Sequence, residues 1–318
     1  MIAPTPEQEL AVLRSVIYAS LFDYPLTIDQ LAASLGVRAG ADTIAAWWRS
    51  SDLLQSTIEH RDGWYFPAGR CDLIETRARR EALSRDLLDR DRRILATVSN
   101  MPFVRMVALS GSLAHLNAEG SADLDLFVIT APNRVWCVTV ATLVLAKVLG
   151  WRKRLCLNFV VSENAMAIAP QDLFSANQII HLRPIVGHRV FERFVKTNAF
   201  VRDFYPNFDV GSRLSATSSR PAGWRRLLEA ALTIGIAPAM ERLARLLYGW
   251  HLRRKAALWQ SRDQVRLEPE CLKLHTSSHR ASTLRKFDEA MAAVLKREPA
   301  FAAPPLRRGR RATAAVRR

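Results

Sequence analysis

The sequence predicts an α/β core, a mixed sheet with flanking helices, set between an N-terminal winged-helix layout and a C-terminal α-helical domain. Three observations carry this expectation. Two apolar runs, Val104 to Leu109 and Asp123 to Thr130, flank a turn of small and polar residues. A strongly apolar segment, Val135 to Leu149, then leads into another strand-like run, Arg154 to Val161. Before both, helical periodicity gives way to a hairpin signal, the order in which a winged helix is built. These patterns divide the chain into residues 1–67, a connecting segment 68–100, the core 101–165, a helical region 166–300 and a basic tail 301–318.

In the first segment, Glu7 to Leu21 places Leu10, Leu13, Ile17 and Leu21 on one helical stripe, and Pro25 ends it. Thr27 is positioned to cap a short helix through Leu35, which Gly36 closes. Asp42 opens a third helix containing Trp47, Trp48, Leu53 and Leu54. Ser56 to Pro67 reads as a hairpin around Arg61-Asp62-Gly63, the wing. A DNA reader of this layout presents basic and amide side chains on its third helix. Here that helix offers Arg49 and Gln55 against Asp42 and Asp52, and residues 1–67 carry four arginines against eight acids, a net of −4. Such a domain would be repelled by a polyanion. It reads as a protein-contact or scaffold module, with a DNA-binding regulator as the weaker alternative.

The segment 68–100 alternates charge, with eight arginines and six acids. Glu75-Arg79, Glu81-Arg85 and Asp86-Arg90 are spaced i,i+4 in the favourable order, the pattern of an exposed connecting helix. Pro102 disfavours its continuation.

The chemistry concentrates between Ser110 and Asp125, SGSLAHLNAEGSADLD. In a strand successive side chains alternate faces, so Asp123 and Asp125 are expected to point the same way. Two carboxylates that close repel unless a cation sits between them, and Mg²⁺ takes such oxygens while sharing itself with substrate phosphates. Gly111 lets the backbone approach a phosphate, and Ser112 offers a hydroxyl at what reads as a helix N-terminus, which favours anions.

On these residues the chain resembles the polymerase-beta-like nucleotidyltransferases, in particular their small minimal branch. That branch reads roughly G-S-x-A-x-G-x-A, a short polar loop, then S-D-x-D-L. Gly111, Ser112, Ala114, Ala118, Asp123, Asp125 and Leu126 fall at matching spacings, over a resemblance of about sixty residues from Val104 to Ser162. Leu116 stands where the pattern has glycine, and Ser121 lies one place early. The resemblance implies a nucleotidyltransferase core that uses Mg²⁺ (or Mn²⁺) to move a nucleoside monophosphate from an NTP to an acceptor hydroxyl. Asp123 and Asp125 would be the catalytic metal ligands, and Gly111 and Ser112 would bind the nucleotide.

The family's third carboxylate belongs on the next strand, where the matching residue is Asn158. An amide oxygen can meet a metal but cannot act as a carboxylate base. Three readings stay open. The enzyme works with two carboxylates, or Glu163 just past the strand substitutes, or the site binds nucleotide without turnover as a catalytically inactive or regulatory protein.

Beyond Val161 the pattern is helical. Asp172 is placed to cap a helix to His181, and His188 to Phe204 forms another. Ser212 to Pro221 reads as a loop, and Trp224 to Gln260 as a long amphipathic stretch bent near Gly235 and Pro238. His275 and His279 lack a third ligand nearby, so no metal is expected there. The chain's net charge of +16 is a C-terminal property. Residues 166–300 hold 22 basic and 12 acidic residues, and the tail, read as disordered, adds six arginines. That distribution suits a polyanion or an anionic membrane surface. Cys71, Cys137, Cys156 and Cys271 have neither zinc nor disulfide spacing, and MIAPTPEQEL is not a signal peptide, so a cytoplasmic location is expected. Val135 to Trp151 is apolar but carries Lys147 between two expected strands, and reads as a buried crossover helix rather than a membrane span.

Overall fold

A computed structural model describes residues 3–120, 122–211, 223–261, 265–274 and 279–297. Helix α1 (Pro6–Ser20) begins in a capping box, the Thr5 hydroxyl accepting from the Gln8 amide and the Gln8 side chain accepting from Thr5 N. Helix α2 (Ile28–Ala33) repeats the device with Thr27 and Gln30. The single third helix expected from the sequence is two helices, α3 (Ala41–Ser50) and α4 (Asp52–Thr57). Ser51 makes the break, because it is extended and its hydroxyl caps α4 by accepting from Leu54 N at 3.1 Å. Strands β1 (Ile58–Arg61) and β2 (Trp64–Pro67) form the expected hairpin. Its two turn residues, Asp62 and Gly63, both have positive φ, as a tight hairpin turn requires.

The connecting segment is α5 (Asp72–Arg90) and α6 (Arg92–Ser99), and it is not the exposed rod that its charge pattern suggests. Leu73, Arg77, Arg80, Ser84 and Leu87 are buried. Of the three expected i,i+4 pairs, Glu81–Arg85 forms, whereas Arg90 bonds Asp91 instead. Asp91 is buried between Arg90 at 2.6 Å and Arg154 at 2.5 Å, and it separates the two helices.

The core follows: β3 (Val104–Leu109), the single-turn helix α7 (Gly111–Ala114), β4 (Leu124–Thr130), α8 (Val135–Val148) and β5 (Leu155–Ser162). β3 and β4 are antiparallel, while β4 and β5 are parallel and joined by α8, so the sheet is mixed as expected. The first half of α8 is buried, but Val144, Val148 and Leu149 at its far end are exposed. No helix among the described residues is long and apolar enough to cross a membrane.

Residues 166–300 depart from the all-helical expectation. Helix α9 (Leu173–His181) is capped by Asp172, which accepts from Ser175 N at 2.9 Å. After it come β6 (Arg183–Val186), α10 (His188–Thr197) and α11 (Val201–Phe204), then α12 (Gly223–Ile234) and α13 (Ala237–Arg254). Strands β7 (Val265–Glu268) and β8 (Cys271–Leu274) and helix α14 (Arg280–Arg297) complete the fold. The sheet runs β6-β3-β4-β5-β8-β7, so the core does not end at residue 165 and half of its six strands come from this region. Each of these strands has only four residues, too few for alternation to register. The His188 to Phe204 helix is likewise broken at Asn198, whose side chain accepts from Ile168 N and donates to the Met166 carbonyl.

Three apolar clusters result. One sheet face packs Val107, Leu126 and Val128 against α6, α8 and α13. The opposite face packs Met106, Phe127 and Ile129 against α9 to α11. The third lies within the N-terminal unit and includes Phe287 and Met291 of α14. The loop expected at Ser212 to Pro221, His275, and the tail 301–318 lie outside the described residues.

Candidate active site

The end of β3 delivers the chain into the turn that carries the sequence motif. Ser110 N donates to the Asp125 carbonyl at 2.9 Å, which fixes the turn against the start of β4. Gly111 follows with φ +63°, and a Cβ built there would lie 2.4 Å from Asp125 Oδ2. Backbone at this position therefore occupies the space beside the carboxylate that any side chain would need. Helix α7 is a single turn, so little of the anion-attracting dipole expected at Ser112 is present. What remains for an anion is local: the Ser112 hydroxyl and unhindered backbone at Gly111.

Leu116, where the resembled pattern has glycine, sits at φ +53°. The turn thus keeps a left-handed conformation with a side chain that disfavours it. Asn117 N closes the turn onto the Ser112 carbonyl at 2.9 Å, and Ala118 N donates to the buried Ser84 hydroxyl of α5 at 3.0 Å.

Asp123 precedes β4 and is exposed, whereas Asp125 is the strand's second residue and is half-buried. The Asp125 carboxyl is pushed up to about 6, first by burial and then by the charge of Asp123, with a hydrogen bond from Cys156 opposing both. The charge of Asp123 thus reaches Asp125, but Asp123 lies before the strand, so the alternation expected of a D-x-D on one strand does not apply to it. In the parallel pairing of β4 with β5, Asp125 lies beside Cys156, Leu126 beside Leu157 and Phe127 beside Phe159. Asn158 is the extra residue of a bulge between those pairs, and its side chain is outside what the structure describes. The neighbour of Asp125 on the next strand is therefore Cys156. Its thiol is raised to about 12, by burial first and then by Asp125 and Asp123, so it stays a neutral donor. Sequence reasoning looked for an acidic residue in mid-strand and matched Asn158, and a neutral cysteine at the strand's start carries no such signal.

Glu163 does not substitute for the third carboxylate. It follows Ser162, the partner of Thr130 at the far end of the same strands, and its own N–H donates to the Thr130 carbonyl at 3.0 Å. At about 3.3 Å per residue that is on the order of 20 Å from Asp125, well beyond a shared metal's reach. Its carboxylate is engaged by Arg193 and, at 3.8 Å, by Arg105.

Among the described residues no group of three His, Cys, Asp or Glu side chains is gathered for a metal. Asp123 and Asp125 form a pair. That donor set fits Mg²⁺ or Mn²⁺ completed by substrate phosphates and water, but not an ion held wholly by protein.

Ser110, Gly111, Ser112 and Asp125 line a cavity of about 1240 Å³. Helices α1, α9 and α14 contribute much of the remaining wall, together with Arg80, Cys156, Phe194 and Phe204, and Asp123 is not part of the lining. Arg14 and Tyr18 of α1 face it, as do His115 and His181, whose ring centroids are 4.1 Å apart. Burial lowers the Arg14 pKa, with Tyr205 and Asp288 opposing, and the guanidinium stands 5.4 Å from the Phe287 ring centroid. His279 also lines the cavity. The N-terminal unit thus closes over the motif, a relationship with no local signal in the sequence. No family model, curated protein or solved structure matches the chain at a significant level.

Proposed function

We propose that the chain is a Mg²⁺-dependent nucleotidyltransferase of the polymerase-beta-like kind. The observation that carries this reading is the approach of Gly111 to Asp125 in the cavity wall, with Asp123 close enough to raise the Asp125 pKa. Asp123 and Asp125 would hold Mg²⁺ or Mn²⁺, which when bound neutralises phosphate charge. Gly111 exposes its backbone and Ser112 its hydroxyl to the triphosphate. The acceptor hydroxyl forms a bond to the α-phosphorus, the α–β phosphoanhydride bond breaks, pyrophosphate leaves and the hydroxyl proton passes to solvent. In such reactions the protein mainly positions groups and neutralises charge. The acceptor's class stays open: protein, small molecule or nucleic acid.

The second reading, a nucleotide-binding protein without turnover, is favoured by one observation. A neutral thiol, Cys156, pairs with Asp125 on the adjoining strand. The N-terminal unit serves in either case as a wall of the cavity, and a DNA-regulator or partner-protein role is secondary. We propose a reducing, cytoplasmic setting, in keeping with four cysteines of which none is in a disulfide.

The test is incubation of the full chain with α-labelled NTPs, Mg²⁺ and a lysate as acceptor source, alongside calorimetric NTP titration. Transfer of label that is lost in Asp123→Asn/Asp125→Asn supports the enzyme. Divalent-dependent binding without transfer selects the second reading. NTP affinity unchanged in that double variant would sink both.

A further inference from the structure

Helices α12 and α13 carry an apolar face that no other described residue covers. Ile236, the N-cap of α13, and Met240, Leu243, Leu247 and Trp250 within it follow one another at alternating spacings of four and three, which puts them on one stripe. All five are exposed, Trp250 by 57%, and Leu246 beside them by 67%. Leu227 and Leu228 of α12 and Val144, Val148 and Leu149 of α8 are exposed as well.

The rotation of α13 is fixed from its other side. Glu241 accepts from the Trp136 and Cys137 amides at 3.0 and 2.8 Å, and Ala237 and Leu252 are buried in the core. The helix is therefore apolar on both faces, the outer one facing solvent over about 21 Å.

The charges around this face are of one sign. Residues 223–258 contain two acids, Glu229 and Glu241. Glu229 accepts from Phe103 N and pairs with Arg105 and Arg225, and Glu241 is spent on α8, so both point inward. Outside remain Arg242, Arg245, Arg253, Arg254 and Lys255, all exposed. A second copy docked by two-fold symmetry would bring these cations together with no acid to neutralise them. An anionic lipid surface accepts both features, leucines and tryptophan below the headgroups and arginines among them.

We propose that the α12–α13 face is a docking surface for an anionic membrane, on which α13 lies in the plane of the headgroups. α13 packs on the sheet face of Leu126 and Val128, while Asp125 shares the opposite face with Phe127. Docking therefore leaves the cavity open to solvent and is independent of what the cavity does.

The experiment is flotation of the full chain with vesicles of phosphatidylcholine alone or mixed equally with phosphatidylglycerol. The expected result is at least about tenfold more chain on the anionic vesicles, weakening with salt. Leu243→Ser/Leu247→Ser/Trp250→Ser and, separately, Arg242→Glu/Arg245→Glu/Arg253→Glu each lose most of that binding while far-UV dichroism is unchanged. Three results overturn the proposal. They are equal or absent binding to the two vesicle types, full binding by the serine variant (arginines elsewhere then suffice), and a dimer by light scattering that the serine variant dissociates without any vesicle binding.

Discussion

The hydroxyl of Tyr24 donates to the carbonyl oxygen of His115 across 3.1 Å. This bond ties the N-terminal unit to the turn that follows Ser112. Around it, Asn117 Nδ2 donates to the Phe22 carbonyl at 2.8 Å, and Arg80 of α5 donates to that carbonyl at 3.0 Å and pairs with Asp23 and Glu119. The motif turn is thus held by two segments far from it in sequence, residues 22–24 and helix α5.

Arg80 is the hub of that junction, so Arg80→Met is expected to destabilise the chain by about 2 kcal/mol, since it removes at once the bonds of a largely buried guanidinium to the Phe22 carbonyl, Asp23 and Glu119. Urea unfolding measures it. A loss below about half a kcal/mol would show that the junction is maintained without the guanidinium.

Leu116 offers a cleaner backbone test. Leu116→Ala removes side-chain contacts and keeps a Cβ at positive φ, whereas Leu116→Gly removes both. Glycine is expected to be the more stable of the two variants by about 1 kcal/mol, the reverse of its usual rank against alanine. If alanine melts higher, the left-handed turn is not maintained in solution.

Gly111→Ala should be among the most damaging small changes in the molecule. The new methyl would meet the Asp125 carboxylate at 2.4 Å in a backbone conformation that alanine resists. A loss of about 2 kcal/mol or more is expected, together with loss of NTP binding. Calorimetry on the purified variant reads both, and a variant that binds NTP like the parent would remove Gly111 from the site.

The raised pKa of Asp125 predicts a pH signature. Its folded value of about 6 lies above the ordinary aspartate value of about 4. Between those values the folded chain holds a proton that the unfolded chain gives up. Stability therefore falls as pH rises through this window, and the cost is complete above about 6. Asp125→Asn should then stabilise the metal-free protein at pH 7.5, by at most about 3 kcal/mol, and bring no such gain near pH 4. Denaturant titrations at the two pH values decide it. An offset independent of pH would mean that Asp125 ionises like a surface carboxylate.

Legibility in the sequence followed the range of the interactions involved. Thr27 and Asp172 announced their helices because a cap bonds a neighbour three residues on, and Thr5 caps the first helix in the same way. The Asp62-Gly63 turn and the strands around the D-x-D motif were local in the same way. Arg77 and Arg80 lie in a segment whose charge pattern reads as exposed, and what buries them arrives from elsewhere: the Tyr24 ring, 3.7 Å from the Arg77 guanidinium, and the Phe22 carbonyl. The four-residue strands at the sheet edges left too short a pattern, and the neutral Cys156 beside Asp125 gave no acidic signal to read.

The placement of α14 bears on how the chain comes off the ribosome. Phe287 meets Tyr18 edge-on at 5.3 Å and, with Met291, fills the core of the first unit. The first helices to be synthesised thus lack part of their packing until nearly all of the described chain has been made. Until then the α1 surface around Tyr18 stays wet and is a natural binding site for a chaperone. Late closure also gives the unit contacts of very long sequence separation, which slow folding. A nascent chain stalled before α14 should be cut by protease within residues 1–67, and one released after it should resist.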